Sequence, residues 1–210
     1  MTTCGVRAGG LCLVAVLILS GCASVVPFVG MPLDEGGVYV SGVTPIREDS
    51  VYSCGPACVA AVATHWGVDP ERFKAVETQS PAETTGAELR DLAVRLGLQA
   101  FSYEGSMDDL RENLRSGRPL IAMISLPLPP KADMLTNELL AVWNEVGPTP
   151  AHWVVVVGMV GGKWVIVDDP ASGPLVLRTE WFQKAWAREG KMTVLVAAPA
   201  VPGAVISANP

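Results

Sequence analysis

Asp49-Ser50-Val51-Tyr52-Ser53-Cys54-Gly55-Pro56-Ala57-Cys58-Val59-Ala60-Ala61-Val62-Ala63-Thr64-His65-Trp66-Gly67 reads as a polar approach running into an apolar helix that spans Cys54 to Trp66 and stops at Gly67. Pro56 is tolerated because the first turn of a helix leaves its N–H groups unpaired, so a residue without one loses nothing there. Ala57, Ala60, Ala61 and Ala63, with Val59 and Val62, keep the helix slender, so a neighbouring backbone can approach closely. Cys54 thus stands at a helix N-terminus, where free N–H groups and the helix dipole favour a thiolate.

A nucleophilic thiolate needs an imidazole partner, and a carboxylate behind that imidazole fixes its tautomer and orientation. The chain offers two histidines. His65 lies eleven positions along the same helix, roughly 16 Å away at the helical rise, too far to act on Cys54. It reads as a charge partner for the helix C-terminus or a surface residue. His152 instead follows Pro150-Ala151 and opens the apolar run Trp153-Val154-Val155-Val156-Val157. His152 to Met159 and Lys163 to Asp168 form a hairpin through Gly161-Gly162. The second strand closes on Asp168-Asp169-Pro170. Successive strand residues point to opposite faces, so only one of the two aspartates can address His152 if the strand runs regularly to its end.

The remaining chain reads as a helical first part followed by strands. Asp69 caps a short second helix beginning at Pro70. Thr84 or Thr85 leads into a third helix with Leu89, Leu92, Ala93 and Leu96 on one face. Leu98 to Ser102 is a short extended segment. Ser106 and Asp109 have capping-box spacing at the start of a helix that stops before Gly117. Pro119 to Ile124 reads as the first strand of the sheet, with Val38-Tyr39-Val40 a short edge strand. Residues 126–150, rich in proline, form an excursion beside the active site, with a short helix over Ala132 to Val142. Thr179 caps a helix bearing Trp181, Phe182, Ala185 and Trp186, and Met192 to Ala197 is the closing strand. No internal repeat is present.

The N-terminus has a different character. Arg7 is the sole charged side chain among the first 21 residues, and Leu11 to Leu19 is an apolar stretch of nine residues. That is too short to span a bilayer but suits the apolar region of an export signal. Leu19-Ser20-Gly21-Cys22 resembles a bacterial lipobox, which makes Cys22 the lipidated first residue of the mature chain. Ala23 is not the aspartate expected of inner-membrane retention. The expected organisation is therefore a signal over 1–21, a tether over 22–44, a domain over 45–198 and a loose tail over 199–210. The location is the cell envelope, on the outer membrane facing the periplasm in a diderm cell. Of the five cysteines, Cys4 and Cys12 leave with the signal. Cys54 and Cys58, spaced i and i+4, are poorly placed for a disulfide or a zinc site. Cys58 reads as a buried thiol. The net charge of −6 argues against a nucleic-acid partner.

Several of these segments together resemble the C39 cysteine peptidases, the double-glycine or bacteriocin-processing type, and their stand-alone relatives. They are Asp49 to Ala61, Thr85-Gly86-Ala87-Glu88-Leu89, Leu110 to Ile121 with Gly117-Arg118-Pro119, His152-Trp153-Val154-Val155-Val156, and Asp169-Pro170-Ala171-Ser172-Gly173. The resemblance covers roughly residues 44–197. It implies an α+β, papain-like fold, with an N-terminal helical part packed on a C-terminal antiparallel sheet. It also implies Cys54 as nucleophile, His152 as base and then acid, and Asp169 as the orienting carboxylate, which leaves Asp168 to cap the turn or face solvent. The family pattern has a glutamine six positions before the cysteine, whose amide donates into the oxyanion hole. Glu48 stands there instead. An ionised carboxylate cannot donate, and its charge opposes a developing oxyanion.

The function expected is that of a membrane-anchored extracytoplasmic cysteine peptidase. It cuts a secreted or surface polypeptide after small residues such as Gly-Gly, and needs no metal or organic cofactor. Its partners are a polypeptide substrate or an export-system protein, and the membrane through its lipid. Two other classes use the same core. One is a catalytically weak or inactive peptide-binding module, which Glu48 favours. The other is a transferase passing the acyl group to an amine.

Overall fold

The computed structural model describes residues 36–47, 54–77, 84–125 and 150–198. The signal, the tether up to residue 35, Cys22, Glu48, residues 126–149 of the excursion and the tail from Pro199 lie outside the described residues. Element order is β1 (Val38–Tyr39), α1 (Cys54–His65), α2 (Pro70–Glu77), α3 (Gly86–Arg95), β2 (Gln99–Glu104), α4 (Met107–Arg115), β3 (Leu120–Ser125), β4 (Ala151–Val160), β5 (Trp164–Asp169), β6 (Gly173–Arg178), α5 (Thr179–Arg188) and β7 (Met192–Ala197).

Among the described residues the strands form one antiparallel sheet in the order β2-β7-β3-β4-β5-β6, with β1 added to β4. Val38 pairs with Met159 and Tyr39 with Gly158. The β4–β5 hairpin turns through Gly161 and Gly162, both at positive φ, which admits glycine without steric cost. The last strand, β7, lies between β2 and β3, so the final strand in sequence is internal to the sheet.

Helices cover both faces. Val154, Val156, Val165 and Val167 pack with Leu110 and Leu114 of α4 and with Phe182, Ala185 and Trp186 of α5. The alternate residue Val155 faces Ala57, Cys58 and Ala61 of α1. Double coverage explains why Val154 to Val157 is continuously apolar rather than alternating. The same alternation appears in β7. Met192 would meet a Cβ added at Gly86 of α3, whereas Thr193 would meet one at Gly105 together with Trp186 of α5. Among the described residues no helix is long and apolar enough to cross a membrane.

In its described secondary structure the chain departs from the sequence expectations in four places. Residues 99–104 form a full six-residue strand, and Leu120–Ser125 is therefore not the first strand of the sheet. Gly173–Arg178, which carries no strong turn-bounded apolar alternation, is a strand because it closes a hairpin on β5. Thr179 is the first residue of α5, not its cap. Its N–H is drawn to the Lys163 carbonyl, Arg178 takes the cap position, and the Thr179 hydroxyl is buried with no hydrogen-bond partner. Ser106 caps α4 by accepting from the Asp109 N–H, but the return arm of a capping box is not made. The Asp109 carboxylate is occupied by the Tyr103 hydroxyl at 2.5 Å and the Asn113 amide at 2.9 Å.

Candidate active site

Cys54 is the first residue of α1, is 6% exposed, and has no acidic side chain in the first turn to oppose a thiolate. Close packing fixes the helix start. A Cβ built at Gly55 would lie 2.3 Å from the Thr84 hydroxyl oxygen and 3.0 Å from both Leu89 and Trp153, so glycine is required for the approach. Trp153 Nε1 donates to the Thr84 carbonyl at 3.1 Å. Thr85 caps α3 in a complete capping box with Glu88. The caps and the indole together seat the α3 entry against the residue after Cys54. This bracing role for Trp153 and Thr84 went unread in the sequence. The available signal was a tryptophan inside an apolar strand, whose N–H must find a partner once buried.

His152 is the second residue of β4, opposite Ile124 of β3, and is 4% exposed. Its Nε2 lies 2.8 Å from Asp169 Oδ1. That leaves Nδ1 as the nitrogen available to the Cys54 side chain, with which the ring also makes a hydrogen bond. Burial works against a charged imidazole here. It is outweighed by the hydrogen bonds to Asp169 and Cys54 and by their negative charge, so the ring is pushed up to about 10. The ring therefore favours its protonated form at neutral pH.

Asp169 ends β5 and pairs with Gly173 across the turn. Its Oδ1 also accepts from the backbone N–H of Ala171 at 2.7 Å and, at longer range, Ser172 at 3.4 Å. Burial alone would raise this carboxyl, but the His152 hydrogen bond and charge and the two backbone donors hold it below the usual range. The acid therefore stays ionised at neutral pH.

Asp168 does not face solvent or cap the turn. It is 6% exposed and lies in a narrow crevice with Pro45, Ile46, Ala57, Cys58, Ala61, Val155 and Pro170. Strand alternation sends it under α1 while Asp169 meets His152. Desolvation pushes Asp168 up to about 6. Tyr39 is raised as well, by its own burial and then by the Asp168 charge. Cys58 is fully buried one turn beyond Cys54, and neither is in a disulfide. His65 sits in the last turn of α1 with its ring edge-on to Trp66, centroids 4.9 Å apart. The structure thus brings Cys54, His152 and Asp169 together, while Glu48 and Cys22 lie outside the described residues. Among the described residues no group of three or more His, Cys, Asp or Glu is placed to hold a metal ion.

The profile of the Peptidase_C39 like family matches residues 40–194. Solved structures with the same fold include a protein described as a C39-like peptidase from Bacillus anthracis, with TM-score 0.58 and 16% identity, covering 79% of this chain and 99% of that one. The peptidase domain of Streptococcus ComA, a bi-functional ABC transporter involved in quorum sensing, matches with TM-score 0.54 and 21% identity, over 75% of this chain and 100% of that one. A double-glycine motif protease from an AMS/PCAT transporter, solved in complex with its leader peptide, matches with TM-score 0.53 and 18% identity, over 77% and 95%. No curated protein matches the sequence.

Proposed function

The chain belongs to the Peptidase_C39 like family, and from that premise we propose that it is a cysteine peptidase acting on a polypeptide outside the cytoplasm, held to a membrane through lipidated Cys22. The observation that carries the reading is the linked arrangement of Cys54 at a helix start, His152 against it, and Asp169 2.8 Å behind the imidazole. The Cys54 thiolate attacks the peptide carbonyl. His152 gives its proton to the leaving amine, and then, as base, takes one from the water that hydrolyses the acyl-enzyme. Asp169 stays ionised throughout and steadies the imidazolium. The leader-peptide complex of the double-glycine protease supports a polypeptide substrate, and cleavage after small residues such as Gly-Gly is the corresponding preference.

Glu48 favours a second reading, a peptide-binding module in an export or assembly system that turns over slowly or not at all. Without a side-chain amide, oxyanion stabilisation falls to backbone N–H donors at the start of α1.

One experiment separates the two. The chain is treated with an electrophilic peptide carrying small residues before its reactive group, and labelling is mapped by mass spectrometry in wild type, His152→Ala and Glu48→Gln. A peptidase labels selectively at Cys54, loses about tenfold or more of that rate in His152→Ala, and gains rate in Glu48→Gln. Cys54 labelling no faster than in denatured protein, in every variant, would sink the peptidase reading and leave the binding module. Lipidation is read separately, as the mass of a diacylglyceryl group on the N-terminal Cys22 peptide.

A further inference from the structure

We infer that Arg47 is a positioning residue for the Asp169 carboxylate, acting through the turn that carries it. This rests on the reading of Cys54, His152 and Asp169 as a nucleophilic triad. Arg47 Nη1 donates to the Ala171 carbonyl at 2.6 Å, across 124 positions of sequence. That carbonyl and the Ser172 N–H are the two ends of one peptide group, and the Ser172 N–H points at Asp169 Oδ1 at 3.4 Å. A cation on the oxygen polarises the peptide and makes its N–H a better donor to the carboxylate. The preceding N–H, that of Ala171, already donates to the same Oδ1 at 2.7 Å. Arg47 therefore grips the turn from outside while Asp169 grips it from inside. The guanidinium also overlies the turn's end, since a Cβ built at Gly173 would lie 3.9 Å from Nη2.

The backbone that delivers Arg47 is anchored. Tyr39 pairs with Gly158 of β4, Val40 donates to the Val157 carbonyl, and Pro45 and Ile46 line the crevice with Asp168 and Pro170. Arg47 itself is exposed, so water screens its charge and its effect is modest. What sets it apart from an ordinary surface contact is its target, a peptide group bonded on its other side to the triad carboxylate.

The test is the pH profile of Cys54 alkylation by iodoacetamide in the full-length chain, from pH 5 to 11, with Cys58 as the buried internal control. The rate rises at the alkaline end as His152 loses its proton and frees the thiolate from the ion pair. Arg47→Ala is expected to move that step up by roughly half a pH unit, a threefold tightening of the imidazolium's hold on its proton, because a nearby cation is lost and the Ser172 N–H draws less on the Asp169 carboxylate. Arg47→Lys, which keeps a charged donor, is expected to recover most of the shift. A merely structural strap would lower the melting temperature and leave the step in place. An unmoved step in Arg47→Ala, or an equal shift in Arg47→Ala and Arg47→Lys, overturns the inference. His152→Ala supplies the control on the underlying reading. If Cys54 reactivity at pH 6 persists undiminished there, the triad reading fails and this inference with it; if it is lost there but Arg47→Ala leaves the alkaline step unmoved, the inference alone fails.

Discussion

Asp169 serves His152 in two ways that substitution can separate. Its Oδ1 accepts from the ring and so orients it, and its charge helps hold the imidazole near 10. Asp169→Asn keeps an acceptor oxygen and loses the charge; Asp169→Ala loses both. The expected outcome is graded. Asp169→Asn retains a substantial part of Cys54 reactivity at pH 6 but shows its alkaline step at lower pH, by about one unit or more. Asp169→Ala is slower by a further factor of about ten, because the ring is no longer held in line with the thiol. Kinetics of Cys54 alkylation against pH check both, and equal behaviour of the two variants would mean that the carboxylate acts through charge alone. The contrast with Asp168 lies in placement alone: two neighbouring aspartates differ because the strand turns one toward His152 and the other under α1.

The element that matters most is α1, since its first residue bears the thiol. Its entry depends on Gly55, and Gly55→Ala sets two effects against each other. Alanine in a helix ordinarily gains up to about 1 kcal/mol over glycine. Here the new methyl would overlap the Thr84 hydroxyl, which can rotate away, and crowd Leu89 and Trp153 at 3.0 Å, which are packed in place. Overpacking costs about 1–3 kcal/mol and wins. Urea denaturation of Gly55→Ala is therefore expected to show a net loss of about 1–2 kcal/mol, with slower Cys54 labelling as the helix start shifts. Stability equal to or above wild type would show that Trp153 and Leu89 yield. Thr85→Ala removes the complete capping box at the α3 entry and is expected to lose about 1 kcal/mol. The corresponding change at Ser106 loses less, because Asp109 makes no return bond there.

For the molecule as a whole, stability against pH is shaped, among the described residues, by buried His152, Asp168 and Asp169. His152 is raised above its ordinary value, so its contribution is complete below about 6.5 and is lost as pH climbs through about 10. Asp169 is lowered, so its contribution is present above the ordinary carboxyl value and is lost as pH falls through its folded value. Asp168 is raised to about 6, which has the opposite sign: its buried charge opposes folding increasingly as pH rises from about 4 to about 6. Asp168→Asn is expected to be more stable than wild type above pH 6, by no more than about 3 kcal/mol, with the gap closing toward pH 4. Urea denaturation across that range measures it. A gap that does not change with pH would mean that Asp168 keeps an ordinary carboxyl pKa.

How much of this was legible in the chain follows from the range of the interactions involved. Helix starts and stops were readable because caps and terminators act within a few residues: Thr85 with Glu88, Ser106 with the Asp109 N–H, and Gly67 at positive φ after His65. The β4–β5 hairpin was readable for the same reason, through its apolar run and paired glycines. Cys54, His152 and Asp169 stood out as candidates by residue type and setting, and resemblance selected among the aspartates. Tertiary structure alone decided what depends on distant partners. Strand β6 exists because β5 offers it an edge, and β7 lies inside the sheet because β2 and β3 flank it. Thr179 lost its capping place because its N–H donates to the Lys163 carbonyl. Asp168, which local rules would send to a turn or to water, is buried because α1 and the Pro45–Ile46 segment close over its face of the sheet. Local chemistry sets where elements begin and end; desolvation and pairing between segments remote in sequence set which side chains meet.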